Sequence, residues 1–445
     1  MDRVIVVGGG PAGATAAAVM AGLGVPVTLY EREQFPRHHV GESLQPATFG
    51  LLRRHLDLDL ADAGFPRKYG AVYVWGQNRA PWTVLFDERL DAARTGLDEL
   101  HAGDPRAAEA GLLSGGYEHA WNVDRSRFDH QLLACAERNG AKIEAAEVLG
   151  PVVDEGRVVG VRVRSNGAEH VERARLVLDA SGQHRVLARA LTEQVAVPDM
   201  NATATYAYFD GAGGVPGVLG RHVQWVVTVP EGWIWFIPIS PDRTSVGCVC
   251  RERARMEPER FERMLRASGL PLDGAEWVDE GANKLRFARD WSFSHRRLAG
   301  AGWALLGDAA CFVDPILSGG VDFAVRGGCQ LALAAARALS GEPEGPLLAS
   351  YEEHTFKDYQ AYLRLARYWY GNNRSVEGLF WEAHREIPAG ASYTPARAFV
   401  YLTTGHLAAD RHLKVFQEWQ ERRIFRQLGV DSDALRRARS RPPAG

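Results

Sequence analysis

The segment that most constrains this 445-residue chain is a glycine-rich turn between two apolar strands near its N-terminal end. A strand-forming run from Val4 to Val7 leads into Gly8-x-Gly10-x-x-Gly13, an alanine-rich helix, and a second strand that ends at Glu31. In such a βαβ unit the glycines permit a tight turn, and the helix N-terminus binds phosphate oxygens. The acidic residue lies where a carboxylate accepts ribose hydroxyls. The predicted cofactor contacts of this unit are Gly8, Gly10, Pro11, Ala12, Gly13, Glu31 and Arg32.

Three later segments place polar residues at junctions between strands and helices. Leu178-Asp179-Ala180-Ser181-Gly182 ends one apolar strand, Leu306-Gly307-Asp308 ends another ahead of Asp314-Pro315, and Asp124-Arg125 opens a helix. An aspartate at a strand end is placed to bind a ribityl hydroxyl, and Arg125 is placed to reach the flavin or its phosphates. In this order the segments resemble the FAD-binding fold shared by aromatic hydroxylases, geranylgeranyl reductases and flavin-dependent halogenases. The resemblance adds these predicted cofactor contacts: Arg125, Asp179, Gly182, Gly307, Asp308 and Pro315.

Two tryptophans spaced two residues apart mark another segment, which runs from Gly232 to Pro238 and ends in Ile-Pro. Successive side chains of a strand point to opposite faces of its sheet, so Trp233 and Trp235 share one face. Two large rings on one face either border a cavity or cover an apolar core, and the spacing by itself allows both. The predicted flavin site favours the first interpretation.

Two short segments after Glu31 complete the pattern. Gly41-Glu42-Ser43, followed by Leu44 and Pro46, resembles the loop beside the flavin in flavin-dependent halogenases and related reductases, so Glu42 and Ser43 are predicted cofactor contacts. Lys68 precedes Gly-Ala and an aromatic strand, as the active-site lysine of those halogenases does; the alternative is a solvated lysine at a strand start. With the Trp-x-Trp-x-Ile-Pro segment, the chain resembles a flavin-dependent halogenase from residue 8 to about residue 328.

This resemblance implies a specific chemistry. A separate flavin reductase supplies reduced FAD, which with O2 oxidises chloride to hypochlorous acid. The oxidant reaches Lys68, which either becomes a chloramine or holds the oxidant by a hydrogen bond, and Trp233 and Trp235 keep the organic substrate away from the flavin. The resemblance also predicts that Ser318, with a catalytic role, and Gly319 and Gly320 bind chloride at a positive helix end. Gly320 and Val321 are expected to pack against the flavin ring.

One departure from the family pattern bears on the substrate. Tryptophan halogenases have a glutamate just before this serine, whereas this chain has Leu317. The difference implies an aromatic ring that brings its own activation, a phenol or pyrrole, in a natural-product precursor that is often tethered to a carrier protein. An FAD-dependent monooxygenase or reductase of the same fold is the alternative function, and a flavin-binding scaffold without turnover is a third.

Composition excludes several other classes of protein. The chain is 46% hydrophobic with a net charge of −3, so it can bury a large core and does not resemble a nucleic-acid-binding protein. We expect no signal peptide and no membrane span. Five cysteines predict a reducing compartment, the cytoplasm, and no cysteine or histidine spacing predicts a metal site.

The expected fold class is α/β, with a Rossmann-like FAD-binding domain of the aromatic hydroxylase type, an antiparallel-sheet substrate domain and a helical C-terminal extension. The FAD-binding domain is predicted to be discontinuous and to comprise residues 1–76, 120–185 and 296–345. Residues 77–119 and 186–295 are assigned to the substrate domain, and residues 346–445 to the helical region. Basic residues from Arg411 to Arg441 are placed to steer an acidic carrier protein, or they form a solvated tail.

Overall fold

The structure is a computed structural model of the whole chain. It describes residues 3–75, 81–86, 113–114, 119–215, 219–251, 256–278, 285–289 and 292–371, together with residues 385, 399 and 403–405. The helices of these residues are α1 (Pro11–Gly22), α2 (Pro46–Leu56), α3 (Arg125–Arg138), α4 (Ala188–Leu191), α5 (Pro258–Ser268), α6 (Gly320–Leu339) and α7 (Glu344–Gly371). None of them is long and apolar enough to cross a membrane.

The strands follow in chain order. They are β1 (Val4–Val7), β2 (Val27–Glu31), β3 (Arg67–Lys68), β4 (Gly70–Val74), β5 (Pro81–Leu85), β6 (Leu113–Ser114), β7 (Ala120–Trp121), β8 (Lys142–Ala145), β9 (Glu147–Asp154), β10 (Arg157–Ser165), β11 (Ala168–Arg173), β12 (Leu176–Asp179), β13 (Gln194–Ala196), β14 (Thr203–Asp210), β15 (Val223–Val229), β16 (Gly232–Pro238), β17 (Arg243–Cys250), β18 (Glu276–Trp277), β19 (Arg286–Arg289), β20 (Phe293–His295), β21 (Ala299–Gly300) and β22 (Trp303–Leu305).

The first sheet is the Rossmann-like sheet that the glycine motif predicts. Its order is β21-β22-β12-β1-β2-β8, and all its pairs are parallel except the edge pair of β21 and β22. Ten of the twelve residues of α1 are buried, because this small-residue helix lies between the sheet and α6. A Cβ at Gly328 of α6 would stand 2.9 Å from the carbonyl oxygen of Ala12, so a glycine there permits the close packing. The predicted α/β fold class is confirmed.

The second sheet has nine strands in the described part of the chain and is mainly antiparallel. Its order is β18-β14-β17-β16-β15-β4-β5-β6, with β19 paired to β14. The segment 203–250 forms the antiparallel hairpins expected of a substrate domain. Strand β4 departs from our expectation, since we assigned residues 1–76 to the FAD-binding domain. It instead pairs with β15 and β5 in the second sheet, because an apolar strand suits either sheet and only long-range pairing selects one.

Three apolar layers surround the two sheets. One lies between the six-stranded sheet and helices α1, α2, α3 and α6, and another lies between the nine-stranded sheet and α5. The central layer joins the facing sides of both sheets to α7. Most of residues 77–119 and of residues 372–445, including the basic segment from Arg411 to Arg441, lie outside the described residues. The predicted helical C-terminal region is therefore described only as far as the end of α7.

Candidate active site

A cavity of about 910 Å³ opens between the two sheets. It is large enough to hold a drug-sized ligand or a cofactor. Seventeen predicted site residues border it: Gly8, Gly10, Pro11, Ala12, Glu31, Arg32, Glu42, Ser43, Arg125, Gly182, Trp233, Trp235, Asp308, Pro315, Ser318, Gly320 and Val321. Lys68, Gly13, Asp179, Gly307 and Gly319 do not border it. The structure thus brings most of the predicted positions together from segments as far apart in the chain as Gly8 and Val321.

The glycine turn has the geometry of a phosphate cradle. Gly8 has φ +102°, and a Cβ at Gly13 would stand 1.9 Å from the carbonyl oxygen of Gly8, so both positions require glycine. Helix α1 begins after Gly10 without a side-chain cap, which leaves its first N–H groups free for a ligand. One carboxylate oxygen of Glu31 accepts a hydrogen bond of 2.6 Å from the N–H of Gly9. These features fit the pyrophosphate and ribose of a dinucleotide cofactor such as FAD.

Arg125 is a buried cation at the cavity edge. Its guanidinium donates to both carboxylate oxygens of Asp129, at 2.7 and 2.9 Å, and to the carbonyl oxygen of Val40 at 2.6 Å. The carboxylate of Asp129 therefore compensates the buried charge and raises the pKa of Arg125. The contact with Val40 holds the loop that leads to Glu42 and Ser43 against α3. Arg125 borders the cavity as predicted, and it also orders the loop beside it.

The two strand-end aspartates differ in their surroundings. Asp308 borders the cavity, and burial raises its pKa to about 6. Asp179 is fully buried and accepts hydrogen bonds from the N–H groups of Ser181, Leu187 and Ala188 and from the Ser181 hydroxyl. With its oxygens engaged in this way, Asp179 orders the turn that follows β12. Asp179 does not border the cavity, so its contact with the cofactor stays a prediction.

Gly307 has a packing role and does not border the cavity, and its contact with the cofactor stays a prediction. It has φ +60°, and a Cβ there would stand 2.9 Å from the Cβ of Ala12 on α1. The glycine allows the turn after β22 to approach that helix.

Lys68 lies behind the cavity wall. Its Nζ donates to the Ser43 hydroxyl at 2.8 Å and to the Leu44 carbonyl oxygen at 3.2 Å, and it lies 5.3 Å from the centre of the Phe86 ring. The side chain is 3% exposed, and burial lowers the pKa of Lys68 to about 7. The alternative of a solvated lysine is therefore wrong. Ser43 touches both Lys68 and the cavity, so a single side chain separates the amine from the predicted flavin site.

The paired tryptophans lie on one face of β16, as their spacing predicts. Trp233 and Trp235 belong to the central apolar layer and border the cavity, whereas Ile234 and Phe236 face the layer against α5. Gly247 on β17 leaves room for the indole of Trp235, since a Cβ there would stand 2.2 Å from its ring. Both interpretations of this segment hold in the structure, because the two rings cover an apolar core and also form one side of a cavity.

A hydrogen-bonded chain that the sequence did not reveal positions Trp233. Its indole N–H donates to the Tyr370 hydroxyl at 2.7 Å, and that hydroxyl donates to the Asp314 carboxylate at 3.0 Å. Asp314 also accepts from the N–H of Ile316 and so caps the turn that leads to Ser318. Helix α7 thereby joins the tryptophan pair to the predicted chloride turn. Tyr370 lies 137 residues from Trp233, which explains why no local pattern identified it.

The turn before α6 places Ser318 at the cavity. Ser318 has φ +53°, an uncommon conformation for a residue other than glycine. Helix α6 begins at Gly320 with no side-chain cap on its first N–H groups. A Cβ at Gly319 would stand 2.7 Å from the Tyr362 ring, so this glycine serves close packing. Leu317 is buried, and its carbonyl oxygen accepts a hydrogen bond of 2.9 Å from the side-chain amide of Gln45.

Other polar clusters show no sign of a metal centre. No group of histidine, cysteine and carboxylate side chains among the described residues has the arrangement of a metal site. The five cysteines are buried free thiols, and Cys248 and Cys250 pack in the layer against α5. His38 contacts two tyrosine hydroxyls, and the Nδ1 of His39 lies 2.8 Å from the Val40 carbonyl oxygen.

Comparison with known proteins assigns a family to this geometry. Residues 3–102 and 99–438 match the family model of the tryptophan halogenases. The chain is 32% identical over 402 residues to a protein named tryptophan 2-halogenase from Chondromyces crocatus, with 86% of this chain and 70% of that protein covered. It is 30% identical over 383 residues to a 1H-pyrrole-2-carbonyl-(peptidyl-carrier protein) chlorinase from Pseudomonas fluorescens, with 81% and 80% covered.

Among solved structures, the chain is similar to the myxobacterial chondrochloren halogenase, a variant of the FAD-dependent halogenases. The two are 32% identical with a TM-score of 0.74, and the match covers 91% of this chain and 90% of that one. The cavity, the glycine cradle and the tryptophan pair thus occur in a chain whose sequence and fold agree with one family. This chain belongs to the flavin-dependent halogenase family and is an FAD-dependent enzyme.

Proposed function

We propose that this enzyme chlorinates an electron-rich aromatic ring, a phenol or a pyrrole, of a natural-product precursor, with hypochlorous acid as oxidant and Lys68 as the active-site amine. The observation that carries the proposal is the position of Lys68. Its amine is buried, it forms no ion pair with a described carboxylate, and it donates a hydrogen bond to Ser43, which borders the cavity. A lysine buried without a counter-charge destabilises a fold, which favours a functional reason for its presence.

The residues of the cavity fit FAD. Helix α1 would bind the pyrophosphate at its free N–H groups, Glu31 would accept the ribose hydroxyls, and Arg125 and Asp308 would border the remainder of the cofactor. When bound and reduced, FAD would supply two of the four electrons that O2 takes up, and chloride would supply the other two as it is oxidised. The N-terminus of α6 and Ser318 form the proposed chloride site, since unpaired N–H groups at a helix start attract an anion.

Lys68 has two possible ways to handle the oxidant. As a neutral amine it attacks the chlorine of hypochlorous acid, forming a nitrogen–chlorine bond and releasing water. As an ammonium it donates a hydrogen bond that makes the chlorine more electrophilic. The pKa of Lys68, lowered by burial to about 7, leaves both forms populated near neutral pH. Both routes end with chlorine transferred to the ring and a ring proton lost.

The position of the tryptophan pair supports a separation between the oxidation of chloride at the flavin and the chlorination of the organic substrate. The rings of Trp233 and Trp235 lie 6.0 Å apart between centroids and fill one side of the cavity. In the proposal they exclude the organic substrate from the flavin site, so that chloride is the species oxidised there. Tyr370 holds Trp233 in this position through the hydrogen bond to its indole N–H.

The nature of the substrate is inferred from Leu317 and from the relatives. An apolar side chain at this position provides no carboxylate to assist deprotonation of the ring, so the ring itself must be activated. One relative at 30% identity is named as a chlorinase of a pyrrole held on a peptidyl-carrier protein, and another at 31% identity is named sulochrin halogenase. A third is named tryptophan 2-halogenase, so the test must include free tryptophan.

The proposed partners follow from the same reaction. A separate flavin reductase supplies reduced FAD, and an acyl or peptidyl carrier protein presents the substrate. The five buried free thiols support a reducing compartment, and we place the reaction in the cytoplasm.

The experiment supplies the purified enzyme with FAD, NADH, a flavin reductase, O2, chloride and a panel of phenols, pyrroles and tryptophan, free and carrier-bound. We expect chlorinated product by mass spectrometry. Lys68→Ala should lower its yield by about 100-fold or more, in the range of lost nucleophilic or acid–base catalysis, while reduced flavin is still oxidised. Lys142→Ala on β8 is the matched control, since that side chain is largely exposed. Retained chlorination by Lys68→Ala would contradict the lysine assignment, and oxygenated product without halide would favour the monooxygenase alternative.

A further inference from the structure

The proposed reaction requires a proton that neither chloride nor the flavin supplies. O2, chloride and the two hydrogens of FADH2 balance to hypochlorous acid, water and FAD only when one more proton is consumed. Without that proton, O2 and FADH2 balance to hydrogen peroxide and FAD. The supply of a proton at the cavity therefore separates productive turnover from loss of the oxidant, and this inference rests on the proposed function.

Glu42 is the acid best placed to supply that proton. It is 2% exposed and borders the cavity. Its Oε1 accepts a hydrogen bond of 2.6 Å from the Tyr208 hydroxyl, whereas its Oε2 has no partner in hydrogen-bond geometry among the described residues, although the Ser245 hydroxyl is near enough to favour the ionised carboxylate. A buried carboxyl oxygen without a partner is unfavourable when ionised and is satisfied by a proton or a bound ligand.

A hydrogen-bonded path leads from Glu42 to an exposed group. The Nε2 of His38 lies 3.2 Å from the Tyr208 hydroxyl and 3.4 Å from the Tyr206 hydroxyl. His38 is exposed and also borders the cavity, whereas Tyr206, Tyr208 and Glu42 are buried. Since Tyr208 donates to Glu42, its oxygen is free to accept the Nε2–H of His38. The three groups thus connect an exposed imidazole to a buried carboxyl.

The charges around Glu42 leave it able to hold a proton near neutral pH. Burial raises the pKa of Glu42 to about 7, against the opposing effects of the Ser245 and Tyr208 hydroxyls and of Arg125. The groups that face the cluster from the elements packed on it are Tyr206, Tyr208, Asp124, Arg125, Ser245, His38 and Arg286, whose guanidinium lies 5.1 Å from the Tyr208 ring centre. Histidine exchanges protons in the same pH range.

We infer that His38, Tyr208 and Glu42 form a proton relay that delivers to the cavity the proton consumed when chloride is oxidised. In one passage the protonated imidazolium of His38 gives its Nε2 hydrogen to the Tyr208 oxygen and becomes a neutral imidazole, which water then reprotonates. The original Tyr208 proton moves to Glu42, and the Glu42 carboxyl gives up its other proton at Oε2 to the oxygen being reduced. Each transfer forms one bond to hydrogen and breaks one, so a single proton crosses from His38 to the cavity.

The first test measures protonation directly, on the FAD-loaded full-length enzyme. Infrared difference spectra between the natural protein and Glu42→Gln, recorded from about pH 4 to about pH 9, should show a protonated carboxyl that disappears near pH 7. Tyr208→Phe removes the donor that favours the ionised form and should move this transition to higher pH. Tyr206→Phe is the matched control, since it removes a hydroxyl of the same cluster that does not contact Glu42. A carboxyl that titrates near its ordinary pKa of 4.5 would overturn the relay.

The second test measures coupling between flavin oxidation and chlorination. Glu42→Gln should oxidise reduced flavin but release hydrogen peroxide, with chlorinated product lowered about 100-fold, the lower range for loss of a general acid. Tyr208→Phe should show the same change to a smaller degree, and Tyr206→Phe, whose hydroxyl contacts His38 but not Glu42, should show the smallest change of the three. Unchanged coupling in both Glu42→Gln and Tyr208→Phe would refute the relay. If the natural enzyme chlorinates no substrate, the proposed function fails, while the infrared titration still decides whether Glu42 is a neutral-pH acid fed by Tyr208.

Discussion

The segment from Glu42 to Leu44 separates two regions, the surroundings of Glu42 and those of Lys68, which differ in the charged and polar groups nearby. On the cavity side, Glu42 has a tyrosine donor and the charge of Arg125 nearby, whereas on the other side Lys68 has the neutral oxygens of Ser43 and Leu44 and the Phe86 ring. Burial nevertheless brings the pKa of both groups to about 7 from opposite directions. One desolvation effect thus produces an acid that keeps its proton and an amine that loses its proton at the same pH. Burial thus sets the two pKa values, while the neighbouring groups determine what each side chain is able to do.

The largest expected effect is on the pH dependence of stability. Between pH 4.5 and about 7 the folded state keeps a proton on Glu42 that the unfolded chain has lost, so the free energy of unfolding falls as pH rises. Between about pH 7 and 10.5 the unfolded chain keeps a proton on Lys68 that the folded state has lost, so the free energy of unfolding rises. Each group contributes a slope of up to about 1.4 kcal/mol per pH unit. The contribution of Glu42 below about pH 7 is the acid limb of the stability curve, and that of Lys68 above about pH 7 is the alkaline limb.

Urea unfolding of two variants separates the acid limb from the alkaline limb of the unfolding free energy. Glu42→Gln should remove the contribution below pH 7 and leave the one above it, and Lys68→Met should do the reverse. Each contribution is taken as the difference in unfolding free energy from the natural protein at the same pH, which cancels the titration of the other groups. If either variant altered both limbs equally, the two regions would not be independent.

A smaller effect on stability is expected from Tyr370→Phe. This change disturbs the tryptophan pair, and Tyr370 contacts neither Glu42 nor Lys68. The change leaves the indole N–H of Trp233 buried without its acceptor, which costs about 1–3 kcal/mol of stability. Both pH limbs should persist while hydrogen peroxide release rises. A double-mutant cycle with Trp233→Phe measures the coupling between the two side chains, and a coupling energy near zero would show that Tyr370 does not position the indole.

The smallest effect is expected from Ser43→Ala, which removes one of the two acceptors of the Lys68 amine. We expect a loss of about 1 kcal/mol, the usual worth of one such hydrogen bond. The pKa of Lys68 should fall further because an acceptor of the ammonium form is lost, so the alkaline limb should begin at lower pH with the acid limb unchanged. Ser340→Ala at the far end of α6 is the control. An unchanged alkaline limb would mean that Ser43 does not stabilise the ammonium form.

Local patterns were sufficient for the parts of the molecule that short-range chemistry determines. The glycine turn, with its strand, helix and acid, predicted the cradle at Gly8 and Glu31, because only a few conformations satisfy those glycines. The two-residue spacing predicted the shared face of Trp233 and Trp235, because strand geometry alternates side chains. The burial of Lys68 followed from a family resemblance, since one lysine at a strand start has no local signal of burial.

The sequence by itself determined the fold class, the family and most of the residues around the cavity, because these depend on motifs confined to short segments. Only the tertiary structure decided which strand joins which sheet, that Asp179 orders the turn after β12 without itself bordering the cavity, and that Tyr208 and Tyr370 contact Glu42 and Trp233 across 166 and 137 residues. The physical reason is that hydrogen bonds and desolvation depend on distance in space. Chain positions far apart in sequence acquire those distances only when the sheets and helices pack.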